Sequence, residues 1–244
     1  MQENEKTEFP RIKKFLERIY KSKLEDIFLS VDPEPLGIAS LAQVHKAYLK
    51  DGTPVAVKVQ HDYISKQFKG DIIMVKLGCA LAEIIFPDFK YKVKEPSRQW
   101  LGKEFETNLP KECDFRLEGK NADRLRELLK NDKNIVVPKI MWEYSNDKVL
   151  VMSFEEGSSI TNLEYLRKNN IDFKQVSTYL SDVFYKQIFE FGFVHSDPHP
   201  GNIFVRKEKE NGKVTTKIIL LDHGLYRDYD ETFRYNYCNL WRCK

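Results

Sequence analysis

The chain has 244 residues, 41% of them hydrophobic and 13% aromatic, enough for one large domain or two modest lobes around a real core. Forty Lys and Arg against thirty-seven Asp and Glu leave a net charge of +3, too small to mark a nucleic-acid or membrane-coating protein, so no nucleic-acid partner is expected. Cys79, Cys113, Cys238 and Cys243 form no Cys-x-x-Cys pair and have no histidine at finger spacing, so neither structural zinc nor a disulfide framework is indicated and a reducing interior is expected.

Residues 9 to 30 place Phe9, Ile12, Phe15, Leu16, Ile19, Tyr20, Leu24 and Ile27 on one helical face. The VDPEPLG run breaks that helix at Pro33 and Pro35. AQVHKAYL and TPVAVKVQ follow, two β-branched runs separated by Lys50-Asp51-Gly52, which predicts a hairpin. From Lys66 to Leu129 the pattern turns helical, punctuated by Pro87, Pro96 and Pro110. Its most apolar run, Ile72 to Pro87, is interrupted by Lys76 and Glu83; it falls short of the roughly 20 apolar residues of a membrane span and reads as a core helix.

A second hairpin is predicted from IVVPKIMWEY and KVLVMSFE around Ser145-Asn146-Asp147, ending at a linker at Gly157. Residues 173 to 191 form an amphipathic helix that delivers the chain to HSDPHPGN. The strands NIFVRK and KIILLDH flank a polar loop, EKENGKVTT, and ETFRYNYCNLW reads as a closing helix. The opening MQENEKTEF has no apolar h-region and is not poor in acids, so no targeting segment is predicted.

Three stretches carry chemistry. Gly37-Ile38-Ala39-Ser40-Leu41-Ala42-Gln43-Val44 follows the register Gly-x-Gly-x-x-Gly-x-Val, in which a bare hairpin turn lets backbone amides reach phosphate oxygens. Ala39 and Ala42 replace two glycines, so close approach survives while positive φ becomes costly. Val55-Ala56-Val57-Lys58 matches Val-Ala-Ile-Lys, and a strand lysine among buried neighbours needs a carboxylate or a phosphate for its ammonium. Taken singly, an ordinary small-residue turn and an edge lysine facing water explain the same residues.

The third stretch is the sharpest. Asp197 and Asn202 in His195-Ser196-Asp197-Pro198-His199-Pro200-Gly201-Asn202 keep the Asp-x4-Asn spacing of a kinase catalytic loop, with Asp197 available to orient a hydroxyl and Asn202 to offer an oxygen to magnesium. Leu221-Asp222-His223-Gly224 then places a second metal carboxylate, Asp222, where kinases have Asp-Phe-Gly. Two histidines and an aspartate also suit a transition metal, a reading that leaves Lys58 and Gly37 without a role.

With these residues in kinase order, the chain resembles the UbiB or aarF-domain-containing family of atypical kinases, most of all the mitochondrial ADCK proteins of animals. The likeness is carried by Pro35 to His45, by Asn108-Leu109-Pro110-Lys111-Glu112-Cys113-Asp114-Phe115 with Glu118 and Asn121, and by His195 to Asn202 with Leu221 to Gly224. It implies an α+β, protein-kinase-like two-lobe fold: a helical extension over 1–34, a small β-rich N-lobe with inserted helices over 35–156, and a truncated helical C-lobe over 157–244. It implies ATP and Mg²⁺ as cofactors, with Lys58 on the phosphates and Asp197 catalytic. Asn202 and Asp222 are then metal ligands, and Glu112 with Asp114 form a Glu-x-Asp signature. Glu118 is the helix carboxylate that pairs with Lys58, sixty residues on, across inserted helices. Gly37, Ala39, Ser40, Ala42, Val44 and Ala56 surround the nucleotide, Met152 lies beside the adenine, and Ser153, Phe154 and Glu155 form the hinge.

The likeness further implies a mitochondrial location, suppressed phosphorylation of proteins in trans, and a lipid-like or quinone-like small molecule or a membrane surface as partner. The family's Lys-x-Gly-Gln helix is expected far upstream of the alanine loop, but only thirty-six residues precede Gly37, and Lys76-Leu77-Gly78-Cys79 is a near miss in another place. Only twenty residues follow Gly224, so the expectation is either part of a longer product or a reduced member with an open C-lobe. Two functions follow: Mg-dependent phosphoryl transfer to a small or lipid-like acceptor or water, or a catalytically weak, nucleotide-responsive binding module. An inactive, unstable fragment is a third.

Overall fold

The computed structural model describes residues 6–39, 41–64, 113–210 and 212–242, together with positions 70, 73, 74, 77, 78 and 81. It separates into two compact units, one of residues 1–115 and 143–151 and one of residues 116–142 and 152–244. The helix expected over Ile72 to Pro87, the Lys76 to Cys79 near miss, the stretch from Asn108 to Glu112, and Ser40 lie wholly or mostly outside the described residues.

The first unit begins with α1 (Phe9–Tyr20), whose 3.6-residue stripe buries Ile12, Phe15 and Leu16. The single long face expected from the sequence is broken at Lys21, which takes a left-handed conformation at φ 55° and ends the helix. A one-turn α2 (Leu24–Ile27) carries the remainder. The VDPEPLG run is not a break but most of a strand, β1 (Phe28–Ile38). It lies at the edge of a four-stranded sheet of order β1-β2-β3-β5, with β2 (Ala42–Leu49), β3 (Pro54–Gln60) and β5 (Val149–Ser153). An edge strand can hold Pro33 and Pro35 because one side of it needs no N–H donors, and its register shifts on both sides of Pro35.

The β2–β3 hairpin forms as its sequence predicts, with Gly52 at φ +83° in the turn. Strict alternation sorts its two faces. Gln43, His45, Ala47 and Leu49 share one with Val55, Val57 and Val59, all buried. Phe9 of α1 meets the His45 ring on that side, with centroids 5.8 Å apart.

In the second unit α3 (Phe115–Leu128) buries Ala122 and Leu125. The predicted IVVPKIMWEY hairpin arm does not form as one strand. Ile135 and Val136 (β4) pair in parallel with β9 (Lys213–Leu220), Ile140 makes a lone bridge to Met152, and Trp142–Tyr144 is a 3₁₀ turn. Pro138, which has no N–H to give a ladder, sits where the strand stops. The polar loop EKENGKVTT is also overturned. β8 (Ile203–Glu210) and β9 (Lys213–Leu220) stay paired out to Glu210 and Lys213, and only a tight turn with Gly212 at φ +79° joins them. Polar composition hid a solvent-facing ribbon whose root is apolar: Val205, Ile218 and Ile219 are fully buried.

The sheet order here is β4-β9-β8-β6, β6 being Ser158–Ser159. Gly157 is not a free linker, since a Cβ there would lie 3.0 Å from both the Ile219 side chain and the Val205 carbonyl. After α4 (Leu163–Lys168), α5 (Phe173–Tyr185) covers the sheet through Val176 and Val183 and ends in a π turn, Lys186–Phe191. Gly192 at φ +63° stops that turn and directs the chain into β7 (Phe193–His195), which pairs with β10 (Tyr226–Asp228). The closing helix α6 (Glu231–Arg242) forms as expected. Among the described residues no helix is long and apolar enough to cross a membrane.

Candidate functional site

The loop between β7 and β8 is built from local hydrogen bonds. The His195 Nδ1 accepts from the Asp197 N–H at 3.1 Å, the His199 N–H donates to the Asp197 carbonyl at 2.9 Å, and the His199 Nδ1 accepts from the Gly201 N–H at 3.1 Å. Pro200–Asn202 then forms a 3₁₀ turn that leads into β8. Two prolines and these ring-to-backbone bonds leave the loop few alternative shapes, and they leave the Asp197 carboxylate exposed.

Asn202 and Asp222 are in contact. The Asn202 amide nitrogen donates to Asp222 Oδ2 at 3.1 Å, and the Leu221 N–H donates to the Asn202 carbonyl at 3.0 Å, so the two loops are tied by side chain and main chain alike. The other Asp222 oxygen accepts from the Gly224 N–H at 3.3 Å. With its nitrogen turned to Asp222, the Asn202 amide keeps its oxygen as a hard donor beside a carboxylate.

His195 links the loops from below. Its Nε2–H donates to the Asp222 carbonyl at 3.0 Å, so both ring nitrogens are occupied by the protein and neither is left for a transition metal. Among the described residues no group of three His, Cys, Asp or Glu side chains could hold a metal ion. Burial pushes the His195 imidazole below its usual value against the opposing pull of Asp222 and Asp197, which fits a neutral ring that accepts at one nitrogen and donates at the other.

Tyr226 was absent from the sequence-based site. It pairs with His195 across β7 and β10, stacks on Phe193 at 4.3 Å, and donates its hydroxyl to the buried His223, 3.1 Å away. Burial, with the Asp222 charge adding to it, pushes this phenol far above its usual range, so it stays a donor. His223 donates its Nε2–H to the Leu220 carbonyl at 2.9 Å, and Asn121 of α3 donates to the His223 carbonyl at 3.0 Å. Nothing in the sequence marks Tyr226; its role depends on a three-residue strand pairing.

In the first unit, register places four of the expected nucleotide residues together. Lys58 lies directly opposite Val44, and alternation puts Ala56 and Ala42 on the same face, the one turned away from His45. The Lys58 ammonium lies 5.3 Å from the centre of the Phe115 ring. The β1–β2 turn is closed on itself by the Ala39 N–H donating to the Ala42 carbonyl at 2.8 Å. Neither alanine has positive φ, so the residues that replace glycine fit the turn they form. Gly37 is paired with Val44 in β1, and a Cβ there would meet nothing within 4 Å.

Beneath the turn, His61 donates from Nε2 to the Ala39 carbonyl at 3.2 Å and accepts at Nδ1 from the Thr7 hydroxyl at 3.1 Å. Thr7 also exchanges two main-chain hydrogen bonds with the fully buried Gln43 amide. Neither His61 nor Gln43 was expected to support this turn, because the segment before α1 carries no motif.

The remaining expected residues are distributed as follows. Met152 is buried and bridged to Ile140, and Ser153 spends its N–H on the Lys139 carbonyl at 2.8 Å. Phe154 follows, and Glu155 is paired with Arg206 at 2.7 Å. Asp114 is half-buried in the first unit, and Glu118, in the first turn of α3, is 3% exposed in the second. Ser40 and Glu112 lie outside the described residues. Lys58 therefore belongs to the first unit, while Asp197, Asn202 and Asp222 belong to the second. The second-unit donor set, a carboxylate in contact with an amide plus a nearby exposed carboxylate, fits Mg²⁺, which takes one or two protein oxygens and completes its shell with water and phosphate.

Three comparisons bear on this arrangement. AarF domain-containing protein kinase 1 of Mus musculus is 45% identical over 220 residues, which are 90% of this chain and 40% of that protein, so the chain spans about two fifths of the relative's length. The solved structure of Rv3197 from Mycobacterium tuberculosis, in complex with erythromycin, superposes with a TM-score of 0.64 at 22% identity, covering 88% of this chain and 52% of that one. The Rio2 kinase of Chaetomium thermophilum, solved with ADP, Mg²⁺ and phosphoaspartate, superposes with a TM-score of 0.50 at 12% identity, covering 95% of this chain and 57% of that one. These structural likenesses establish the kinase-like fold, as the order of motifs led one to expect. A match over residues 1–243 to the model of the ABC1 atypical kinase-like domain completes the assignment, and the chain belongs to that family.

Proposed function

We propose that the chain binds ATP with Mg²⁺ and transfers a phosphoryl group to a small or lipid-like acceptor or to water. The observation that carries this reading is the contact between Asn202 and Asp222, two oxygen-bearing side chains at 3.1 Å beside a rigid loop that presents Asp197 to solvent. When bound there, Mg²⁺ would neutralise phosphate charge. Asn202 and Asp222 are the residues that hold it, and Asp197 accepts or orients the acceptor's proton. Lys58 contacts the phosphates and Glu118 is its carboxylate. A carboxylate only 3% exposed needs a cation or hydrogen-bond donors, which supports that role. Glu112 and Asp114 form the signature pair, and Met152 and Phe154 line the adenine.

The family likeness also supports a lipid-like or quinone-like acceptor and a mitochondrial location. The test is phosphate release or transfer by the purified chain with Mg-ATP. Asp197→Asn is expected to abolish turnover while keeping the fold, and an Asp197→Asn variant that turns over like wild type would contradict the assignment.

One observation favours a second reading, a nucleotide-responsive binding module. The Ala39 N–H is spent on Ala42, so the turn offers fewer free amides to phosphate than a glycine loop. Nucleotide binding that depends on Lys58 and Asp222, without turnover on any acceptor, would select this reading over the first.

A further inference from the structure

The π turn that follows α5 buries one polar side chain of which only half is satisfied. Gln187, 1% exposed, accepts the His195 N–H on its Oε1 at 2.9 Å, which fixes the backbone at the start of the Asp197 loop. Its Nε2 is buried and has no hydrogen-bond partner among the described residues. A buried amide donor is rarely left in that condition. π turns are uncommon and recur at functional sites because the extra residue re-aims a side chain out of the helical register.

Gln187 lines a cavity of about 20 Å³ together with His195, Asn202, Leu220, Asp222 and Tyr226. That volume exceeds the roughly 10–15 Å³ one water requires. Gln187, Asn202 and Asp222 contribute polar side chains to its lining. Both His195 nitrogens are already committed. A water there has a donor to accept from and oxygens to donate to, which are the conditions for an ordered buried water.

We propose that this cavity is a binding site for one structural water that joins Gln187 Nε2 to the Asn202–Asp222 pair, which makes Gln187 a positioning residue for the two side chains that take the metal. The inference rests on the Mg-nucleotide reading above and adds to it. Gln187 would fix the loop from both ends, through His195 by its oxygen and through the water by its nitrogen. The π turn would be the device that brings it within reach.

The experiment has two arms on the full chain. In the first, a high-resolution crystal structure is expected to contain a water within hydrogen-bond distance of Gln187 Nε2 and of an Asn202 or Asp222 oxygen; a dry cavity overturns the proposal. In the second, binding of a fluorescent ADP is titrated with Mg²⁺ for wild type, Gln187→Met and Gln187→Asn. The asparagine variant keeps the same chemistry on a shorter arm and guards against a methionine variant that fails to fold. The Mg²⁺ concentration for half-saturation is expected to rise about tenfold or more in the variants, as for other groups that orient metal ligands, with ADP affinity in chelator unchanged. A merely structural glutamine would lower the melting temperature and leave the Mg²⁺ midpoint where it is, which overturns the inference while leaving the nucleotide reading intact. Wild type with no Mg²⁺-dependent ADP binding would instead overturn that reading, and this inference with it.

Discussion

His195 holds Asp222 by the main chain. Its Nε2–H reaches the Asp222 carbonyl at 3.0 Å, and through its other nitrogen the same ring binds the N–H of Asp197, so one neutral imidazole sets the spacing of two aspartate-bearing loops. Replacing it with phenylalanine keeps the ring contact with Tyr226 but removes both hydrogen bonds. His195→Phe is expected to weaken Mg²⁺-dependent nucleotide binding by about 10- to 100-fold, the usual cost of losing a group that orients metal ligands. Circular dichroism and a Mg²⁺ titration on the same sample separate this effect from unfolding.

The sharpest stability prediction concerns Gly192. It ends the π turn at φ +63°, and a Cβ there would lie 2.5 Å from the Tyr229 carbonyl oxygen, main chain that is itself pinned by the Tyr229 N–H donating to the Gly192 carbonyl at 2.7 Å. Strain in the left-handed region and the clash act together, so Gly192→Ala should cost more than about 2 kcal/mol. Urea melts would report it as a lower midpoint at an unchanged slope.

Gly37 is the opposite case. Although it occupies the first glycine of the phosphate-loop register, it lies in paired strand with open space where a Cβ would go. Gly37→Ala is expected to change stability by less than about 0.5 kcal/mol. Any loss of nucleotide affinity in that variant would then report on the bound state rather than on the fold.

A pH dependence follows from His45. Burial, the largest influence, holds its imidazole below the usual 6.5, with Lys6 adding to that and the Asp32 carbonyl and the Asp32 and Glu34 charges opposing. The ring donates from Nδ1 to the Asp32 carbonyl at 2.8 Å and accepts at Nε2 from the Gln43 amide at 3.0 Å. A proton on Nε2 would set N–H against N–H. The unfolded chain therefore binds the proton first: stability is full above 6.5 and falls as the pH drops below it toward the folded value, with a slope of at most about 1.4 kcal/mol per pH unit. Denaturant midpoints across that range should show the slope in wild type and a shallower one in His45→Gln, the remainder coming from His195, which burial lowers in the same direction.

The elements legible in the sequence were those whose signal is local. The β2–β3 hairpin announces itself through alternation and Asp51-Gly52, α5 through its apolar stripe, and the Asp197, Asn202 and Asp222 loops through spacing. What stayed hidden depends on partners far along the chain. β1 reads as a breaker until the sheet order puts its prolines at an edge. Ile135 and Val136 look like half of a hairpin until β9, eighty residues later, claims them in parallel. Tyr226 and Gln187 carry no motif at all; they support the site because β7, β10 and the π turn bring them to His195. A functional spacing is written in the chain, whereas the groups that stiffen it are chosen by tertiary contact.

A magnesium site for a nucleotide at Asn202 and Asp222 is open to calorimetric titration of ADP into wild type and Asp222→Asn, with Mg²⁺ and with chelator. The expected result is Mg²⁺-dependent binding in wild type that weakens at least about tenfold in the variant, with equal affinities in chelator. Equal affinity of both proteins in the presence of Mg²⁺ would contradict such a site.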